Sequence, residues 1–472
     1  GITAFPRGFA TLQLSWSLPE GYGYSGAQTA TLAIRDGQAK ARAIPIGSAN
    51  IEAFNGYANT EEGLKQHYQL SQNVELPAPP AQQSNWRPIG NATAVFEGSF
   101  NGNHFGIFGL RIEAPQEDYQ GLFGCTGSSA EIENLRLAEV QLNGNNRIGA
   151  LVGLNRGTVQ SSHAMGQVVG SGNNVGGLVG YNSNGTVQNS YATGSVRGGN
   201  NVGGLAGANI GEIHNSHATG SVSGDGDYIG GLVGINSYIS NQPTLGRVHS
   251  SYATGNVVGN ARVGGLVGAN IGEIHNSHAT GSVSGEGDYI GGLVGNNSYR
   301  SDPLTLGRVH SSYATGNVVG NERVGGLAGI NYSIIESSYA TGSVEGNDWV
   351  GGLLGRNYYS SASMEEAGVL RNSLALNPRV SCVRANVGRV TGENTASLLN
   401  NFAFSGMLNR ANNTAWGTIG AGTIHGASRT AAALQTANGF PTVFSESPWT
   451  YIEGHLPGLL GEPVGMPIHL QP

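Results

Sequence analysis

The chain is poor in the residues that carry most chemistry. Of its 472 residues, 11% are charged, two are lysine (Lys40, Lys65) and two are cysteine (Cys125, Cys382). Two cysteines allow one disulfide and exclude a disulfide-framed scaffold. No stretch approaches 18 apolar residues, so no segment reads as a membrane-spanning helix. Lys and Arg form no run, and the net charge of -7 is spread along the chain. That leaves no basic patch for nucleic acid or an anionic membrane. Glycine is abundant, at 78 residues, but has no Gly-X-Y period, which excludes collagen. Low charge beside 38% hydrophobic residues argues against disorder. Sparse lysine suits a stable surface protein, although genomic base composition explains it equally well. The chain starts at Gly1 without Met, signal or transit peptide, which reads as a processed or excised chain.

What the chain does have is one repeated phrase, as in Val175-Gly176-Gly177-Leu178-Val179-Gly180-Tyr181-Asn182 followed by Ser190-Tyr191-Ala192-Thr193-Gly194. Aligned on its Leu, the phrase recurs at Leu122, Leu151, Leu178, Leu205, Leu232, Leu266, Leu293, Leu327 and Leu353, at spacings of 26 to 34 residues. A period in the twenties is the signature of a stacked solenoid. Residues 121–376 therefore predict about nine coils of an all-β parallel β-helix, each with two strands around an Asn corner. That Asn recurs at Asn155, Asn182, Asn209, Asn236, Asn270, Asn297, Asn331 and Asn357, with Thr126 in the first coil. A polar amide at one position in every coil predicts a ladder that bonds corner backbone groups missed by the strands. The Gly pairs allow close packing of coils. Recurrent alanines such as Ala192 and Ala218 fit a narrow interior.

A longer unit overlies this one. Asn209 to Gly234 repeats almost unchanged at Asn270 to Gly295, with Glu286 in place of Asp225. Two coils are lengthened after the Asn corner, around Tyr238 and Tyr299. A third insertion follows Asn357 and contains Tyr358, Tyr359 and Met364. All three should protrude from one side.

The flanks are less regular. Residues 1–48 read as a β segment, capping or intersubunit, with alternating strands at 10–16 and 30–35. Residues 49–120 read as an N-terminal cap and irregular first coils, with one short helix from Thr60 as N-cap to Lys65. Residues 377–460 read as an α/β C-terminal cap with short helices at 396–402 and, N-capped by Ser428, at 428–437. Residues 461–472 read as a tail or linker.

The phrase V-G-G-L-V-G-x-N followed by S-Y-A-T-G resembles the GLUG-motif repeat of bacterial surface and secreted proteins. Trp86-Arg87-Pro88-Ile89-Gly90, Phe96 to Asn103, Gly121-Leu122-Phe123-Gly124 and the segment from Trp449 to Leu459 resemble its usual flanks. The resemblance covers roughly residues 50–460. It implies an extracellular, adhesin-like β-solenoid comparable to filamentous haemagglutinins. GLUG repeats also occur beside peptidase modules, but the chain has no H-E-x-x-H, so no catalytic residue carries over.

Each candidate site has a plain alternative. His163, His217 and His278 take the position of Tyr191, Tyr252, Tyr313 and Tyr339, while His214, His249, His275 and His310 lie three residues earlier in their coils. Stacked coils about 4.8 Å apart bring histidines within metal-binding reach; the plainer reading is a ladder position that accepts any flat polar ring. Asp225, Asp227, Glu286 and Asp288 offer oxygens to Ca²⁺ at a turn, or are solvated carboxylates. One Thr per coil, from Thr193 to Thr341, reads as strand propensity rather than an ice-binding row. Glu212, Arg247, Glu273 and Arg308 read as a solvated charge ladder. Cys125 and Cys382 are a possible disulfide only if the C-terminal cap folds back or molecules stack end to end; two free thiols are equally compatible. The inserted-loop tyrosines Tyr238, Tyr299, Tyr358 and Tyr359 are the leading binding candidates, because exposed aromatics stack on sugars or anchor proteins.

The sequence thus predicts a non-enzymatic, extracellular or cell-surface β-solenoid acting as adhesin, stalk or fibre, with no cofactor. Its expected partners are a surface glycan, a protein or itself. The alternatives are an end-to-end polymerising filament subunit and a carbohydrate-active β-helix enzyme. Near-identical coils argue against catalysis, which needs a singular constellation.

Overall fold

A computed structural model describes residues 36–238, 244–301, 304–358 and 367–471. The strands expected at 10–16 and 30–35, and Tyr359, lie outside the described residues. The described chain winds into a parallel β-solenoid. Its longest sheet stacks thirteen strands, from Ile44–Ile46 to Ser397–Leu399. A second stacks nine, from Ile148–Gly149 to Val387–Gly388, and a third ten, from Phe123–Cys125 to Thr391–Asn394. On the remaining face most coils give two short strands, such as Tyr191–Ala192 and Ser195–Gly198.

Side-chain alternation sets which residues face in. In Thr186–Gln188 only Val187 is buried, and its register partners run Ile132, Val159, Val187, Ile213, Val248, Ile274 and Val309. The same inner column begins with Ile44, Tyr68 and Phe100, and the two large rings mark a wider bore near the N-terminal end. Opposite it runs an alanine column from Ala164 through Ala192 and Ala218 to Ala403, where the interior is narrow.

The second Gly of each pair is required by the next coil. A Cβ on Gly177 would lie 2.1 Å from the Gly204 carbonyl oxygen, and one on Gly265 would lie 2.1 Å from that of Gly292. From Gly177 to Gly352 every GLUG coil carries Gly at this place, while the earlier coil carries Ala150 there.

Both ends are plugged. At the N-terminal end the helix Ile51–Tyr57 buries Ile51 and Phe54. The Phe54 ring packs at 4.8 Å from Tyr68, 5.7 Å from Phe100 and 6.1 Å from Trp86. At the C-terminal end Arg389 replaces the second Gly of the pair. It is 1% exposed and lies beneath the closing segment. Its guanidinium donates to the carbonyls of His425, Phe404 and Gly426 and to the Ser428 hydroxyl. Residues 430–471 then return along the side of the rod as 3-10 turns and one hairpin, His455–Leu459 with Glu462–Gly465. They bury Leu434, Phe444, Trp449, Leu456 and Leu470.

The structure corrects the helix expectations. Residues 396–402 are coil strands: Ser397–Leu399 pairs with Val369–Arg371, and Phe402–Phe404 with Leu374–Ala375. In-register stacking overrides local helix preference there. Ser428 lies in the strand Ala427–Arg429, and it is Thr430 whose hydroxyl accepts from the Ala433 amide at 3.1 Å. Among the described residues of 377–471 there is no α-helix, so the C-terminal cap is β with 3-10 turns rather than α/β. Thr60 does accept from the Gly63 amide at 3.1 Å, but it caps only a 3-10 turn, Gly63–Lys65. The stack itself runs through position 376 without a break.

Candidate binding site

Three ladders run the length of the rod. The corner asparagines form one chain of amides. Nδ2 of each donates to Oδ1 of the next at 2.8–2.9 Å, from Asn155 through Asn182, Asn209, Asn236, Asn270, Asn297 and Asn331 to Asn357. Asn357 passes the chain on to Asn394, a rung the sequence did not reveal, and Thr126 begins it by donating to Asn155 Oδ1 at 2.9 Å. The second proton of the same NH₂ group reaches a corner carbonyl, as from Asn270 to Gly272 at 3.1 Å. All the expected rungs are buried. A second ladder was missed. The Ser before each Tyr or His accepts on its hydroxyl the amide of the equivalent Ser one coil earlier, as Ser190 to Ser216 at 3.2 Å. Its hydroxyl donates two residues back, as Ser190 to the Gln188 carbonyl at 2.7 Å. The recurrent S-Y/H-A-T-G phrase carried that signal.

The third ladder is a stack of rings: His163, Tyr191, His217, Tyr252, His278, Tyr313 and Tyr339. Successive centroids lie 4.4–5.1 Å apart, with planes within 6° of parallel. Each ring covers the face of its neighbour, so the faces are not free to stack on a sugar. The stack ends against the returning segment, where the Tyr339 hydroxyl donates to the Pro457 carbonyl at 2.7 Å and Trp449 lies 5.7 Å away. Burial lowers the pKa of His163 and His217, and pushes that of His278 down to about 4.

The acidic turn residues are ion-paired. Asp227 meets Arg262 at 2.5 Å, Asp288 meets Arg323 at 2.7 Å, and Asp225 meets Arg197 at 3.3 Å; Glu286 is exposed. No group of three metal-ligating side chains converges among the described residues, and three of the four Ca²⁺ candidates, Asp225, Asp227 and Asp288, are charge-paired. Arg262 also lies 5.1 Å from the Tyr228 ring and 5.4 Å from that of Tyr289, and Arg323 lies 5.0 Å from Tyr289 and 4.6 Å from Trp349. These five residues sit at positive φ, a conformation that costs bulky residues roughly 1–3 kcal/mol each. Alternating cation and ring along one column offsets that strain. On the thirteen-stranded face, Arg247 bridges Glu212 and Glu273, each at 3.0 Å, as the charge ladder predicts.

Cys125 and Cys382 are both free and buried. Eight to nine coils separate them, about 40 Å at ~4.8 Å per coil. Residues 430–471 return along the rod without carrying either thiol, so the cap does not bring the two together within one chain. Burial pushes the Cys125 thiol up to about 11, which leaves it unreactive.

Where the repeat is broken, tyrosines gather. The second inserted loop is a hairpin in which Tyr299–Ser301 pairs with Leu304–Leu306; in the first, Tyr238 makes the equivalent bridge to Leu245. Tyr238, Tyr299, Ser298 and Tyr332 line an open cleft of about 300 Å³. Tyr332 stands directly after the corner Asn331 and was not singled out by the sequence. Tyr358 packs edge-on to it at 5.7 Å and carries Arg356 over its ring at 4.4 Å. The structure thus brings Tyr238 and Tyr299 together and joins Tyr358 to them through Tyr332.

Comparison with known proteins agrees with the repeat. The model of the GLUG motif matches residues 171–197, 198–223, 259–284 and 320–345, and the chain carries GLUG repeats. Over 130 residues it is 32% identical to halomucin of Haloquadratum walsbyi, covering 26% of this chain and 1% of halomucin. Over 139 residues it is 40% identical to a proposed Gly-rich membrane protein of Evansella cellulosilytica, covering 25% of this chain and 16% of that one. The chain therefore spans a small part of the relatives it matches. A proposed immunoglobulin A1 protease from Bacteroides ovatus aligns over 91% of this chain and 96% of its own, at 15% identity and a TM-score of 0.33.

Proposed function

We propose that this GLUG-repeat solenoid is a non-catalytic, extracellular or cell-surface rod that binds a glycan or protein surface through its tyrosine corner. The observation that carries the reading is the cleft between Tyr238, Tyr299 and Tyr332. Its rings come from the two lengthened coils and from one ordinary corner, and they line an open groove. Such a groove suits ligands with both apolar and hydroxylated surfaces, of which sugars are the commonest. The surrounding coils are near copies whose recurrent Asn, Ser and ring side chains are taken up in the ladders, which supports a scaffold role. The relatives' names, halomucin and a Gly-rich membrane protein, support a surface location.

The two plugs favour an isolated rod over end-to-end stacking. Among the described residues Phe54 covers one end of the stack and Arg389 the other, which supports an isolated rod. Screening the protein on an array of glycans and extracellular matrix proteins, with a reducing-end assay on the polysaccharides that bind, tests the proposal. Saturable binding without release of product supports it. Product release abolished by one acidic substitution would replace it with a carbohydrate-active enzyme.

A further inference from the structure

The thirteen-stranded face carries a feature that the tyrosine corner does not use. His214, His249, His275 and His310 occupy one register position on four successive coils. All four are half-buried and point outward beside Val248, Ile274 and Val309 of the inner column. The His249 and His275 ring centroids lie 5.3 Å apart, and those of His275 and His310 5.8 Å. Two imidazoles bound through nitrogen to one tetrahedral ion, at metal–nitrogen distances of about 2.0–2.1 Å, have centroids about 5 Å apart. The rungs of this sheet therefore hold neighbouring imidazoles at chelating separation.

The surroundings carry charges of both signs, with Arg308 beside His275 and His310 on the same face. Glu273 Oε2 lies 3.8 Å from His275 Nε2, so a carboxylate stands beside the central ring. Arg247, which holds that carboxylate at 3.0 Å, also has Glu212 at 3.0 Å as a partner and retains it if Glu273 turns to a metal. His310 bonds the Ser311 hydroxyl through Nδ1 at 2.7 Å, which leaves Nε2 as its outward nitrogen. In the same column, earlier coils carry Gln160 and Gln188, whose amides link to each other at 2.7 Å. Later coils carry Glu336, Arg371 and Leu399 in this column, so the fold demands no particular side chain there and imidazole on four successive coils exceeds the structural requirement. The ring stack differs: its planes are parallel and its faces covered, whereas these rings are tilted by 30° and 34°.

We propose that this histidine column is a binding site for a divalent transition metal of the zinc, nickel or copper class. His249 and His275 supply the first pair of nitrogens, Glu273 or water completes the shell, and His310 serves as an alternative partner for His275. No three donors already converge on one point among the described residues, so the ion draws the pair together by side-chain rotation on a rigid backbone.

The test is a calorimetric titration of chelator-treated protein with Zn²⁺, run beside retention on an immobilised Ni²⁺ resin. The wild type is compared with the His249→Gln/His275→Gln double variant, which copies residues native to this column, and with His278→Tyr, which copies the ring stack. Saturable Zn²⁺ uptake, weakened at least about tenfold in the double variant (about 1.4 kcal/mol) and unchanged in His278→Tyr, is the expected result. No saturable uptake by the wild type, or equal uptake by the double variant, would overturn the proposal. Equal melting temperatures of the three proteins separate lost ligands from lost fold.

Discussion

Arg389 stands where Gly352 stands one coil earlier, and the Gly352 amide donates to the Arg389 carbonyl at 3.1 Å. A Cβ on Gly352 would lie 2.2 Å from that oxygen, whereas the side chain of Arg389 bonds Phe404, His425, Gly426 and Ser428. The same position leaves no room for a Cβ at Gly352 and carries a large side chain at the end of the stack. Gly265→Ala, in mid-stack, is expected to destabilise the protein by about 3 kcal/mol or more, because the intruding carbon strikes backbone that cannot move. Arg389→Gly is expected to leave mid-stack amides protected while hydrogen exchange quickens over residues 391–429. Denaturant titration and peptide-resolved exchange measure the two effects.

The amide ladder predicts a different penalty. Asn270→Ala removes donors to Asn297, Gly272 and Arg308 and leaves the Asn236 amide without its acceptor. Buried polar groups left unpaired cost about 1–3 kcal/mol each. A loss of about 2–4 kcal/mol is expected, against a smaller loss for Asn155→Thr, next to the rung where Thr126 already serves as donor. Comparative unfolding of the two variants checks the order.

Acid should loosen the ring stack. His278 has a folded pKa of about 4 against 6.5 for the free side chain, owing to burial. A base whose folded pKa is depressed takes up its proton more readily when unfolded. Its stabilisation is therefore complete above pH 6.5 and falls progressively towards pH 4, by about 3 kcal/mol in all. Burial shifts His163 and His217 in the same direction. The expected outcome is a melting temperature that drops between pH 6.5 and 4, and drops less in His278→Tyr. An identical pH profile for the variant contradicts this assignment.

Sequence legibility followed repetition. The asparagine rungs, the alternation of His with Tyr and the Glu–Arg alternation were readable because each recurs at a fixed spacing, and a residue repeated at one position in a solenoid touches its own copies. What occurs once was not readable. Ser397-Leu398-Leu399 looks helical by composition, and only its pairing with Val369–Arg371 makes it a strand. The helix Ile51–Tyr57 contains Asn55 and Gly56, which mask it, and it forms because Phe54 seals the bore. Arg389 carried no local signal, since its role depends on there being no GLUG coil after it. At the tyrosine corner the two hairpin tyrosines were legible as insertions. Tyr332 was not, because it lies in a coil of ordinary length and reaches the cleft only through stacking.

The central claim is that the asparagine, serine and stacked-ring columns are scaffold and that glycan or protein recognition resides at the broken repeat. It is tested most directly by measuring, on the same glycan and matrix array, the wild type against the Tyr238→Ala/Tyr299→Ala/Tyr332→Ala variant, with thermal unfolding of both. The account predicts that the variant loses binding by tenfold or more, about 1.4 kcal/mol, while its melting temperature stays close to that of the wild type. Undiminished binding by a folded triple variant would contradict it.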